Sequence, residues 1–517
     1  MKKHFLTAFA SAFLLVGGMV ANAYAADVTF GGQLRPRFEI NEQGDFDSNT
    51  DANVFINTRI RFNAKAKIND KTSAFIQFQA IGVFGDPVNR GQGSRNPRVV
   101  ANDGIANVGL HQAYFTLNDF FGLPADLKFG RQEVVLDGHR LMGNTGWTAG
   151  AQTHDAIRLT HHHGEHTLVY VFSKGVEQAG VGGPSPAPGG VSPSDRKDLN
   201  VHTVWANIKG ILGGSLSAYF IAFDDNSFND PTNIDTAGGA LVPFETADTD
   251  NNLYNIGLRQ AGQLYGIDYR AEAYYQFGDA EGSAGPAPSP TVISGLAPLA
   301  GNTKGAALLA ALPTYGGAGS GVDRGAYMFG VRAGKTFNNV MWKPSFTLWY
   351  DQLSGTDVQD IIDGDFATFD TLFDTGHKFY GYMDLFISNV GAGTSSLGLR
   401  DAAIKLSAKP MSNVTLKADI HAFFTDTNLE EELNDLGLAD TVPIGNVTIG
   451  DLDRHLGEEL DLTAVYKYNP NTKIVVGYSH FFADDTFHLV NAASSGGLTA
   501  AASDNANWAY IMFDVKF

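Results

Sequence analysis

Seven basic residues carry the chemistry that this sequence displays most openly: Arg35, Arg37, Arg59, Arg61, Lys65, Arg131 and Arg158. Most of them alternate with apolar neighbours. From Thr58 to Ile68, Arg59, Arg61, Asn63, Lys65 and Lys67 share one parity, while Ile60, Phe62, Ala64, Ala66 and Ile68 share the other. Arg35 and Arg37, with Gln33 and Glu39, oppose Leu34, Phe38 and Ile40, and Arg158 opposes Ile157 and Leu159. A period of two marks a strand with a different environment on each face. Guanidiniums repeated on one face of successive strands make a basic stripe, and rings of Arg and Lys favour the passage of anions. The same stripe also fits a rigid ladder of Arg with Glu39, Asp155 and their neighbours, since side chains inside a barrel fill space as well as select. Arg131 departs from the pattern. It shares parity with the apolar Leu127 and Phe129, and Gly130 beside it is expected to mark a bulge that re-aims it.

Strands must hold these residues, and the compartment follows from the N-terminus. Lys2 and Lys3 precede a mostly apolar run from Phe5 to Val20, and Ala23-Tyr24-Ala25 fits a small-x-small cleavage site. Residues 1–25 are therefore expected to be a secretory leader and 26–517 the mature domain. No later stretch is a spanning helix by length and apolarity, so a membrane assignment requires a closed barrel. The chain has no cysteine, 59 glycines and a net charge of −19. It thus lacks disulfides and thiol chemistry, and its acidity argues against a nucleic-acid partner.

Period-two segments recur to the end of the chain. They include Val28–Ile40, Val54–Ile68, Asp126–Leu136, Gln152–Thr160, Leu397–Ala408 and the terminal Trp508–Phe517. Short turns alternate with nine long loops, which predicts an all-β transmembrane antiparallel barrel of about 18 strands with short periplasmic turns and long extracellular loops. Expected turns include His161–Glu165 and Ala261–Gln263. The long loops include Gly85–Asn107, Asp137–Ala151, Gly175–Asp198, Gly278–Val322 with a short helix at Lys304–Leu312, and Leu353–Ser396. Arg400 and Lys405 fall on opposite parities of one segment, which implies a broken register or a shifted boundary.

Other groups offer less. His161, His162, His163 and His166 crowd an expected exposed turn without a supporting second layer of ligands. Asp357, Asp360, Asp363 and Asp365 lack the spacing of a calcium loop. Ser479 and His480 are adjacent on a strand, so they point to opposite faces and cannot form a nucleophile–base pair. The expectation is a non-catalytic protein without metal or cofactor. His377–Asp384 is too aromatic for a solvated loop and is expected to pack on the wall or enter the mouth.

Phe129-Gly130-Arg131-Gln132, Thr375-Gly376-His377-Lys378-Phe379-Tyr380-Gly381-Tyr382-Met383-Asp384, Leu456-Gly457-Glu458-Glu459-Leu460-Asp461-Leu462 and Gly477-Tyr478-Ser479-His480-Phe481-Phe482 together resemble the alginate export family of outer-membrane proteins. The terminal strand, closing on Phe517, is similar to the last strand of such barrels. The resemblance implies eighteen strands and an arginine-rich constriction passing an anionic uronate polymer, with Arg131 and Arg158 beside the matching segments. It also implies outer-membrane lipid and lipopolysaccharide as surroundings, anionic polysaccharide or small anions as solutes, and periplasmic export partners. The alternatives are an uptake porin for small organic acids or nutrients, and a structural or adhesive surface barrel.

Overall fold

The computed structural model describes residues 27–42, 46, 51–84, 108–176, 199–225, 251–280, 291–299, 301–313, 315, 321–387, 393–444, 447–494 and 505–517. The expected leader, the loop at 85–107 and most of the Gly/Pro/Ser tract at 175–198 lie outside the described residues.

Eighteen antiparallel strands close into a barrel. They are β1 (Asp27–Asn41), β2 (Asn53–Lys67), β3 (Thr72–Val83), β4 (Val108–Leu117), β5 (Ala125–Gln132), β6 (His154–His163), β7 (His166–Val176), β8 (Leu199–Ile211) and β9 (Gly214–Asp225). They continue as β10 (Asn251–Leu264), β11 (Ile267–Asp279), β12 (Asp323–Thr336), β13 (Ser345–Leu353), β14 (Leu399–Met411), β15 (Val414–Phe424), β16 (His455–Asn469), β17 (Thr472–Ala483) and β18 (Ala506–Lys516). Each pairs with its chain neighbours, and β1 pairs with β18 from Gln33↔Lys516 to Asn41↔Trp508, so the wall has no free edge.

The two faces of the wall are inside-out relative to a soluble protein. Leu258 is 55% and Val331 48% exposed on the outer face, whereas Asp351 and Asp461 are 0% and 1% exposed on the lumen face. An outward Arg or Lys near the bilayer midplane would cost ~2–4 kcal/mol, which fixes the assignment of faces.

Several boundaries differ from expectation, and three of the differences are informative. β5 stops at Gln132 instead of Leu136, because Val134 and Leu136 are buried among loop residues inside the barrel and not on its wall. β6 continues through His163, leaving Gly164–Glu165 as the turn. β10 and β11 pair as far as Leu264↔Ile267, so the turn is Tyr265–Gly266. Both of its residues have positive φ, 53° and 75°, as a two-residue hairpin turn of the I′ type demands. The opposed parities of Arg400 and Lys405 need no broken register. The ladder Arg400↔Gln352 to Lys405↔Thr347 is continuous; Arg400 bonds Asp426 at the rim and Lys405 turns inward to Asp419.

Loops, not strands, supply most of the apolar core. Helices α1 (Thr291–Leu296), α2 (Thr303–Ala311), α3 (Val358–Asp363), α4 (Leu429–Asp435) and α5 (Asp485–Ser494) lie in the long loops. Ile293, Leu308, Val358, Leu429 and Leu489 are fully buried among them. Helix α1, between β11 and β12, packs on α5, between β17 and β18, so segments leaving the wall far apart around the barrel meet across its mouth. Two segments turn into the lumen: Glu133–Thr153 (loop 3) and, in the loop between β13 and β14 (loop 7), the part that follows α3.

Candidate functional site

Loop 3 leaves the wall through a device written into Phe129–Gln132. Gly130 has φ 123°, and a Cβ there would collide with the Ala113 carbonyl oxygen. Gln132 is fully buried and its amide nitrogen donates to the carbonyls of Gly130 and Ala156, at 3.1 and 3.0 Å. Arg131 stays on the outer face. The β5–β6 register runs unbroken from Ala125↔His161 to Gln132↔His154, so no inserted residue re-aims it. Its Nε and Nη2 clamp the two Asp155 oxygens, each at 2.8 Å, and Nη1 donates to Leu110 O. Arg131 therefore braces the wall where the chain departs, and the expected inward constriction role does not fit its position. The bulge lies one strand away: β4 has His111 as its extra residue between Gln112↔Gln77 and Leu110↔Phe78. Buried His111 and Gln112 both bond groups of the lumen side, Glu133 and Gln77.

Once inside, the tip of loop 3 lies on the arginines of β1 and β2. Arg35 donates to the carbonyls of Gly146, Trp147 and Thr148 at 2.6, 2.9 and 3.0 Å. Arg59 donates to those of Gly146 and Thr148, both at 3.1 Å, and to Gln33. Arg37 bonds Glu39 at 2.8 Å and stacks on the Trp147 ring. Arg61 reaches Gln79, and its Nη2 lies 2.8 Å from His111 Nε2, which is 2.9 Å from Glu133 Oε1. Burial alone would raise the Glu133 carboxyl, but hydrogen bonds from His111 and Asn144 and the Arg61 charge hold it at about 2. Among the described residues neither Arg35 nor Arg59 has a carboxylate partner. Both are almost wholly buried beneath the loop.

Loop 7 meets the wall at β16, three strands from β1, with the opposite chemistry. Glu459 of β16 accepts the backbone N–H of Tyr382 and Met383 at 2.6 and 2.9 Å, and Asp461 lies 3.2 Å from the Tyr382 nitrogen. Asp461 also accepts the Ser479 hydroxyl, and His421 bonds Asp401 at 2.8 Å. The two loops are joined to each other. Met142 and Phe373 form a bridge, Gly143 N donates to Phe373 O, Thr375 N donates to His139 O, and Trp147 stacks flat on His377 at 4.0 Å.

The root of loop 3 is fixed on a third part of the wall. Arg140 bonds Glu272, Asp351 and Tyr380 with every partner buried, and the three partners outweigh burial and keep its guanidinium firmly charged. Asp137 accepts from Trp205, Tyr219 and Arg259. Loop 3 thus spans the lumen from β1 to β13.

The remaining sequence-derived residues scatter. Lys65 shares the inward parity of Arg59 and Arg61 and lies exposed near the short-turn end. Arg158 stands opposite Lys128 in register, below the loop, and bonds Thr160. Periodicity missed Arg140, Glu459 and Asp461 as partners of the loops. Glu459 and Asp461 sat inside a quoted motif, but their partners are 76 to 79 residues away in sequence. His161 donates from Nδ1 to Pro124 O at 2.6 Å.

The family model for alginate export matches residues 26–500. No curated protein matches the chain. Among solved structures, Acinetobacter baumannii OccAB1 is similar at 12% identity and TM-score 0.52, covering 96% of this chain and 98% of that one. Pseudomonas aeruginosa OccK9 (OpdG) is similar at 12% identity and TM-score 0.51, covering 95% and 98%. At such identities these two likenesses speak for the fold.

Proposed function

The chain belongs to the alginate export family, and from that premise we propose that it passes a carboxylate-bearing polysaccharide through its lumen. The protein is a β-barrel of the bacterial outer membrane. The solute, its sign and its outward direction are the proposal, together with a cleaved leader at 1–25 and delivery of the polymer by periplasmic proteins.

One observation carries it. Arg35 and Arg59 are buried charges held only by neutral oxygens, those of the loop 3 backbone and Gln33. Other buried guanidiniums in the same lumen have carboxylates, as Arg37 has Glu39 and Arg140 has Glu272. A guanidinium bond to a carbonyl carries charge on one side only, whereas a carboxylate adds its own charge and a two-pronged geometry. A carboxylated chain therefore competes well for Arg35 and Arg59, and the carbonyls it displaces belong to a loop tip that is free to rehydrate. Passage is an exchange of partners: the loop 3 tip leaves, solute carboxylates take its place, and further cations such as Lys128 and Arg158 receive the chain in steps. Several weak sites in series let the solute move on.

The test is single-channel conductance in a planar bilayer under a salt gradient, with wild type and Arg35→Ala/Arg59→Ala. Anion selectivity that collapses in the double variant supports the reading. A cation-selective channel, or selectivity unchanged by the double substitution, overturns it.

A further inference from the structure

Beneath the joined loops lies a lumen cavity of about 420 Å³ on the short-turn side. Its ceiling is the stack of Trp147, His377 and Tyr382, with ring centroids 4.0 and 4.9 Å apart. Trp349 and Tyr510 extend the apolar lining, and Lys378, Lys405 and Lys417 reach it from three directions. Lys405 is paired with Asp419 at 3.1 Å. Lys378 and Lys417 have no carboxylate partner among the described residues. Burial and the nearby Arg270 hold the Lys378 ammonium below its ordinary range, the behaviour of a cation that lacks a counter-charge. Hydroxyls complete the lining: Ser345, Ser407, Thr347 and Thr463, with Ser345 and Ser407 2.6 Å apart near the short turns.

We propose that this cavity is a separate loading site for one carboxylated, polyhydroxylated ring, entered from the periplasmic side before the solute reaches Arg35 and Arg59. Its volume falls within the range of ~300–1,000 Å³ that small-molecule sites occupy. Flat aromatic faces fit the apolar face of a ring, the hydroxyls fit ring hydroxyls, and two uncompensated ammoniums fit one carboxylate. Lysine suits a transit site better than arginine does. An ammonium is a hydrated point charge without the two-pronged geometry of guanidinium, so it attracts a carboxylate without clamping it. The position also matters, since an occupant touches the Trp147–His377 stack that joins the loops.

The site rests on the channel reading for the sign of its ligand but not for its existence. Full-length protein refolded in detergent is titrated with glucuronate, glucose and benzoate, followed by tryptophan fluorescence. Glucuronate is expected to give a saturable change that glucose does not give. Lys378→Gln/Lys417→Gln is expected to weaken it by about tenfold or more, the equivalent of ~1.4 kcal/mol, and Lys378→Arg/Lys417→Arg to restore binding. No saturable change with glucuronate, or an affinity unaffected by the Gln pair, overturns the site. Benzoate binding as tightly as glucuronate overturns the ring assignment. If Arg35→Ala/Arg59→Ala abolishes anion selectivity while glucuronate fails to bind here, the site falls and the channel reading stands. The reverse result keeps the site and removes the arginine mechanism.

Discussion

Loop 3 and loop 7 plug the same lumen, yet they are held by opposite halves of the peptide group. The basic wall of β1 and β2 holds loop 3 by its carbonyl oxygens, and the acidic wall of β16 holds loop 7 by its N–H groups. A backbone segment offers both, so the sign of the wall decides which face of the loop turns to it. The difference has a consequence for an anionic solute. It competes with carbonyls for arginine, but as an acceptor it cannot replace the amide donors that Glu459 and Asp461 bind. Loop 3 is the part that such a solute can release, and loop 7 is the fixed jamb against which it closes. Within loop 3 the same contrast recurs, because its root at Arg140 is paired with buried carboxylates while its tip is not.

Breaking the root has the largest expected effect. Arg140→Ala leaves Glu272 and Asp351 short of a buried counter-charge, a loss of ~3–5 kcal/mol, lessened where Arg332 and Arg270 shift toward them. Urea unfolding of the refolded barrel reads it, and a loss under 1 kcal/mol would show that the root is not an anchor. Glu459→Ala comes next. It strips the acceptor from the Met383 N–H and weakens that of Tyr382, and each buried N–H left alone costs ~1–3 kcal/mol. Spontaneous openings should become frequent in this variant regardless of the anion present. Arg35→Ala should cost less than either, since its three carbonyl partners rehydrate when the tip lifts. Its signature is a lost response: polyuronate added to one side should shorten closed times in wild type and leave them unchanged in the variant. Equal anion responses in Glu459→Ala and Arg35→Ala would erase the distinction between gate and jamb.

Part of this was legible in the sequence. The alternation in Val54–Ile68 assigned Arg59 and Arg61 to the lumen, and lipid enforces such alternation strictly because a charge on the wrong face is costly. The wall was therefore readable. What fills the wall was not. Arg140, Asp137 and Tyr382 lie in segments without a period, and their partners are remote in sequence, so no local signal marks them. Arg131 shows the cost of setting parity aside. Its alternation with Phe129 pointed outward, as the structure has it, and the glycine beside it turns the backbone without inserting a residue.

The smallest effect separates the lumen plug from the helical roof by the sign of its pH dependence. In loop 3, burial, with Lys378 nearby, lowers the His139 imidazole from 6.5 to about 4. The unfolded loop then binds the proton more tightly than the folded one, so its stability is full above pH 6.5 and is lost as pH falls toward 4. Glu133, held at about 2 against 4.5, adds a loss in the same direction at lower pH. At the N-terminus of α3 in the roof, burial and then the neighbours Asp357, Asp365 and Glu432 raise Asp360 from 3.8 to about 7. There the folded state holds the proton, so the contribution is full below pH 3.8 and is lost as pH rises through 7. Between pH 4 and 7 the plug should tighten while the roof loosens. Amide hydrogen exchange resolved to Leu136–Gly143 and to Val358–Asp363, with rates corrected for intrinsic pH dependence, reads both at once. His139→Gln should flatten the first trend and Asp360→Asn the second, each without touching the other. Parallel trends in the two segments would mean that roof and plug open as one body, and the solute would then have to release both to pass.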